Sequence, residues 1–101
     1  MATLEELKAK HGAIAQATTP DGRTITIKRP DFPSYKRFTD KLTQDKSSKA
    51  SAFEELVMSC VVDPEREQAR SIIADYPALV VALAGAAQEL GGSDIEITKS
   101  S

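Results

Sequence analysis

Apolar positions along this chain come in short runs, and the spacing inside each run identifies the element it builds. The first run is slight: Leu4 and Leu7, with His11 a turn further on, share one side of residues 3–12. Thr3 with Glu6 three residues later forms a capping box, and Gly12 supplies a left-handed stop, so a short helix is predicted there. With so little apolar surface it must dock on something to persist. Residues 13–18 and 23–28 flank Thr19-Pro20-Asp21-Gly22. Pro presets φ and Gly accepts a positive φ, which makes a tight turn. The run Arg23-Thr24-Ile25-Thr26-Ile27-Lys28 alternates strictly, so a β-hairpin is predicted with Ile25 and Ile27 on one face and Thr24, Thr26 and Lys28 on the other. An isolated hairpin is marginal, and those isoleucines must cover helices.

Arg29-Pro30 stops the strand, and Asp31 or Ser34 can start a helix whose Tyr35, Phe38 and Leu42 fall at i, i+3 and i+7. Residues 43–49 are polar and predict a flexible connection. Ser51-Ala52-Phe53-Glu54 is a second capping box, ahead of Phe53, Leu56, Val57, Cys60 and Val61 at helical spacing. Asp63-Pro64 and Asp75-Tyr76-Pro77 then set Asp and Pro together at two boundaries. Asp accepts backbone N–H bonds at a helix start and Pro tolerates the first turn, so each pair predicts a fresh helix. One carries Ala69, Ile72, Ile73 and Tyr76; the other covers residues 78–90 and ends at Gly91-Gly92. This last helix is apolar nearly all round, as expected of a central core helix or one covered by another subunit. Ala82, Gly85, Ala86 and Ala87 give it sides that allow close approach. Beyond it, Ile95 and Ile97 suit a short strand added to the hairpin. The whole predicts an α+β, mostly α-helical fold in which an N-terminal β-hairpin packs against a bundle of four to five short helices. Residues 1–92 form one domain (helix 1–12, hairpin 13–30, bundle 31–92), and residues 93–101 form a C-terminal tail.

Length and composition agree with one modest core: 101 residues, 41% hydrophobic, 28% charged and only 5% aromatic, so Leu, Ile, Val and Ala must supply the packing. The net charge of −2 conceals an uneven spread. Residues 23–49 carry eight basic and three acidic side chains, whereas residues 50–101 carry three basic and nine acidic ones. Such a division serves attraction between faces of one fold, head-to-tail self-association or steering of a partner. Cys60 is the sole cysteine, which leaves no internal disulfide and fits a reducing compartment. The first residues have acids where a signal peptide needs basic and then apolar ones, and the ten-residue apolar stretch 78–87 is too short to span a bilayer. A cytoplasmic protein without membrane contact is expected.

Chemistry is thinly supplied. His11, the single histidine, sits at a helix end where it favours the dipole more readily than it serves as a general base. Cys60 shares an apolar helix face and has no basic neighbour in sequence to lower its pKa, which suits a buried structural thiol. Asp63, Glu65 and Glu67 are explained by a helix start, so no metal site is assigned. No phosphate-binding glycine loop, nucleophile elbow or zinc spacing occurs. Lys28-Arg29 and Lys36-Arg37 lie near Tyr35 and Phe38, but those aromatics fit the core period and the pI is near 5.4, against a nucleic-acid module. No catalytic residue, cofactor or metal is expected; the apolar helix faces remain as the resource for function.

The order of elements resembles the small tail assembly chaperones of long-tailed bacteriophages and prophages. The resemblance runs from Leu4-Glu5-Glu6-Leu7-Lys8 and Gly12 to Ile27-Lys28-Arg29-Pro30 and Tyr35-Lys36-Arg37-Phe38. It continues through Glu55-Leu56-Val57, Cys60-Val61-Val62-Asp63-Pro64 and Tyr76-Pro77-Ala78-Leu79 to Leu90-Gly91-Gly92. It implies a non-catalytic protein-binding role in virion morphogenesis in the host cytoplasm. The chaperone would shield hydrophobic helices of the tape measure protein and recruit major tail protein subunits; the apolar last helix and the divided charge also suit association with copies of itself. On either ground the contact surface is expected at Leu79, Val80, Leu83 and Ala87, with Tyr35 and Phe38 as lesser contributors, core packing being the alternative role of each. A small phage or bacterial regulatory or adaptor protein that binds an enzyme or another helical partner is the competing expectation.

Overall fold

The computed structural model describes residues 3–44, 49–93 and 95–98. Helix α1 (Leu4–His11) leads into a hairpin of β1 (Ile14–Thr18) and β2 (Thr24–Lys28), followed by α2 (Phe32–Thr43) and α3 (Lys49–Cys60). A third strand, β3 (Val61–Asp63), precedes α4 (Arg66–Asp75) and α5 (Leu79–Gln88), and a single wide turn over Glu89–Ser93 closes the chain of elements. The architecture is α+β and mostly helical, as the periodicity predicts. The sheet is antiparallel in the order β1-β2-β3.

Several local expectations hold for the physical reason given. The Glu6 N–H donates to Thr3 Oγ1 at 3.1 Å, and the Ser34 N–H donates to Asp31 Oδ1 at 2.8 Å, so both helices start on side-chain caps. Gly12 ends α1 at φ 80°, a conformation open to glycine. In the hairpin turn the Gly22 N–H donates to the Thr19 carbonyl at 3.0 Å, and the Arg23 N–H to Thr19 Oγ1 at 2.9 Å.

Four expectations are corrected. Val61 does not continue the helix from Phe53; it turns into β3, with Val61 opposite Ile27 and Asp63 opposite Thr26. Neither Asp–Pro pair caps a helix. Asp63 ends a strand and its bond to Pro64 is cis, while Glu65 takes the N-cap position of α4 without a side-chain bond. Asp75 is the last residue of α4, and α5 starts from Ala78, again without a side-chain cap. Ser51 likewise lies inside α3, whose helix is already under way at Lys49. Ile95 and Ile97 form no strand and stand exposed.

The third strand also changes the environment of β2. Flanked on both edges, β2 is central, and Thr26 is fully buried although the alternation puts it on the polar face. Its hydroxyl accepts from the Gln16 side-chain amide at 2.9 Å, which satisfies it there. The core gathers Ile25, Ile27, Leu56, Val57, Cys60 and Leu83, with small Ala52, Ala69, Ala84 and Ala87 where elements approach closely. Helix α3 is the pivot, packed chiefly on α5 and α2. Burial of each large aliphatic side chain contributes about 1.5–3 kcal/mol.

Candidate interaction surface

Among the residues expected to form a contact surface, the fold separates two groups. Phe38, Leu83 and Ala87 are buried in the core, so they hold the fold and present nothing to a partner. Phe38 sits between Tyr35 and Phe53, with ring centroids 5.5 and 5.7 Å away. Tyr35, Leu79 and Val80 are half-buried and keep part of their surface open. The apolar character of α5 all round is thus resolved: the side bearing Leu83, Ala84 and Ala87 meets α3 and the sheet, while Val81 is 63% exposed.

Val80 and Val81 line one wall of an open groove of about 540 Å³. Phe53 and Ala50 come from α3, and Ile73, Ala74 and Pro77 from α4 and the turn beyond it. The elements converge because Pro77 breaks the chain between α4 and α5, and α3 packs against α5. The lining is mainly apolar; its charged members are Glu54 and Arg70, which face each other at 3.8 Å. That pair is shared with a second, polar recess of about 430 Å³. There Arg37, Arg66 and Arg70 gather around Ser51, Ser59 and Glu55. Glu55 is already engaged by Lys41 Nζ at 2.7 Å, an interaction that holds its carboxyl below the usual range. The two recesses share Glu54 and Arg70 in their linings; the one beside α5 is mainly apolar and the other carries three arginines.

A third recess of about 530 Å³ lies between the hairpin turn and the start of α4, lined by Arg23, Asp63, Glu65 and Gln68 among others. Its cation is committed: Arg23 pairs with Asp21 and Asp75 at 2.9 Å each, and lies 5.7 Å from the Tyr76 ring centre. Cys60 is fully buried, and burial pushes its thiol above the ordinary value. A neutral, enclosed thiol is a poor nucleophile. His11 sits half-buried at the end of α1. Among the described residues no three His, Cys, Asp or Glu side chains converge as metal ligands, and no helix is long and apolar enough to cross a membrane.

Periodicity puts Val80 in the expected contact surface and Phe53 and Ile73 on apolar helix faces, but marks neither Val81 nor Arg66 and Arg70. The signal available was modest: two consecutive valines on a helix lie about 100° apart, so they meet different neighbours. Which of them faces outward depends on where α3 and α4 lie.

No curated protein matches the chain. A solved structure of the uncharacterised protein rbstp2171 from Bacillus stearothermophilus has the same fold, with a TM-score of 0.73 and 23% identity. That alignment covers 97% of this chain and 100% of the other. A family model described as a domain of unknown function (DUF6848) matches residues 7–99. The chain belongs to that family.

Proposed function

We propose that this protein is a non-catalytic binding chaperone of phage tail assembly, acting in the host cytoplasm. It would shield apolar helices of the tape measure protein and bring major tail protein subunits to them. The observation that carries the reading is the open groove at Val80 and Val81, whose apolar floor is walled by three helical segments. Such a trough accepts the apolar stripe of an amphipathic helix, with contacts repeating every three to four residues. The sequence resemblance supplies the identity of the clients, and the lack of a convergent acid, base or nucleophile among the described residues favours binding over catalysis. A groove this short favours weak, reversible capture, which suits a factor that must leave the finished product.

Co-expression tests the reading. A tape measure protein should become substantially more soluble when co-expressed with the wild-type chain, and should co-purify with it. Val81→Glu, which puts a charge on the exposed wall of the groove, should abolish both effects while leaving the fold intact. Unchanged solubility with the wild-type chain would refute the proposal.

A further inference from the structure

The arginine-rich recess holds more positive charge than its own carboxylates neutralise. Its lining combines one face of α3, with Ser51, Glu55 and Ser59 at i, i+4 and i+8, and arginines from two other helices. Arg37 comes from α2, whereas Arg66 and Arg70 come from α4. Those last two stand one turn apart on the same side of their helix, where like charges repel. Glu55 is taken by Lys41 at 2.7 Å. Glu54 faces Arg70 only at 3.8 Å, beyond hydrogen-bond distance. Arg37 donates to the Ser34 hydroxyl at 3.2 Å and pairs with no carboxylate among the described residues, although its charge reaches Asp31 and Glu55. The Arg66 side chain makes no ion pair or hydrogen bond among them. With Lys41 included, four cations share two carboxylates here, which leaves two positive charges over.

We propose that this recess binds a small phosphate monoester, its phosphoryl oxygens held by Arg37 from α2 and by Arg66 and Arg70 from α4. A phosphate monoester carries close to two negative charges at neutral pH, which matches the surplus. Guanidinium groups present a planar fork of donors that fits phosphoryl oxygens two at a time, and they stay charged throughout the physiological range. The volume of about 430 Å³ leaves room for a small organic group beside the phosphate. The Ser59 hydroxyl is spent on the Leu56 carbonyl at 2.6 Å, so recognition falls to the arginines. A polyanion fits less well. Glu54 and Glu55 stand in the lining and repel the further charges of an acidic peptide or a nucleic-acid strand, whereas one compact dianion meets the arginines alone. All three arginines are exposed, so water and salt screen the contact and the affinity is modest. The recess shares only Glu54 and Arg70 with the apolar groove, so phosphate binding does not rest on the chaperone role.

Titration of the full chain with glycerol phosphate at fixed ionic strength tests the site, read by NMR of the arginine Nε–H groups. Binding should saturate with a dissociation constant on the order of 1 mM. The shifted resonances should be those of Arg37, Arg66 and Arg70, and glycerol or chloride at equal concentration should move none of them. Arg37→Gln and Arg66→Gln, on different helices, should each weaken binding about tenfold. Lys10→Gln, which removes one positive charge from α1, should leave it unchanged, and so should Val81→Glu in the groove. Circular dichroism identical to wild type checks that the variants are folded. No saturation up to ~50 mM would overturn the proposal, as would equal weakening by Lys10→Gln. Tighter binding, per phosphate, of a single-stranded oligonucleotide would overturn it too, since the site would then read a polyanion. Client solubility is not read in this experiment, so either proposal can fail alone.

Discussion

Arg23 reaches from the hairpin turn to Asp75 at the end of α4, its guanidinium nitrogen 2.9 Å from the carboxylate. The same side chain bonds Asp21 at 2.9 Å and lies beside Tyr76, so one residue fastens the hairpin turn to the end of α4. The Asp75 hydrogen bond is the main influence holding the guanidinium in its charged form, with the charge of Asp21 adding to it. Both carboxylates are open to solvent, which limits the energy the contact can supply. Arg23→Gln should lower the thermal midpoint by only a few degrees, and the difference from wild type should shrink in molar salt. A loss as large as that of a core truncation would mean that the turn is a folding determinant.

The two sides of α5 should respond to substitution in opposite ways. Leu83 is 2% exposed and Val81 is 63% exposed, though both are aliphatic and lie two residues apart. Leu83→Ala should cost about 2–5 kcal/mol in urea unfolding through lost burial and the cavity left behind. Val81→Ser should shift stability by no more than about 0.5 kcal/mol. Comparable losses at both positions would place Val81 in the core and remove the groove as a free surface.

Cys60 should be slow to react in the native protein. Burial is the main cause that raises its thiol above the ordinary value, with the Ser59 hydroxyl acting in the opposite sense. Labelling by a thiol reagent at neutral pH should be many-fold faster in denaturant than in buffer. The linkage follows: a thiol that ionises less readily when folded contributes stability that is complete below its unfolded pKa and is lost as pH rises through the folded one. Denaturant midpoints of wild type should therefore fall at strongly alkaline pH more than those of Cys60→Ala.

Acid should weaken the fold through three carboxylates held below their ordinary values. Asp21 is lowered first by the Thr19 hydroxyl, Asp31 by the Ser34 backbone N–H at the start of α2, and Glu55 by Lys41. Depressed carboxylate pKa values contribute stability that is present above the unfolded values, 3.8 for Asp and 4.5 for Glu, and is lost as pH falls through the folded ones. Urea midpoints should be level above that range and decline below it. Asp31→Asn, which removes one titrating group but leaves an acceptor for the cap, should flatten the decline.

Much of the fold is legible in the residues themselves. Thr3, Gly12, the Pro20-Asp21-Gly22 turn and Asp31 act locally, so their roles follow from their neighbours in sequence. β3 escapes such reading because Val61 extends the helical spacing from Phe53 without a break, and only pairing with Ile27 makes it a strand. The Asp–Pro pairs mislead for a related reason: Asp63 is taken up by the sheet, and Asp75 by Arg23 in the hairpin turn. Tertiary partners override a cap preference worth about 1 kcal/mol. The interaction surface is the least legible feature, since α5 is apolar on most sides and three separate segments decide which side stays open.

The three residues Val61–Asp63 bind the fate of the sheet to that of the helices. β3 follows α3 directly, yet it joins the hairpin across more than thirty intervening residues, so the strand and the helix end cannot part company without each other. Loosening α3 bares an edge of β2, and prising β3 away tugs on the helix that α2 and α5 both rest against. Backbone amides of β2 should accordingly exchange with deuterium only when the whole molecule opens, while those of α1 exchange through local fraying. The shortest strand makes hairpin and bundle rise and fall together.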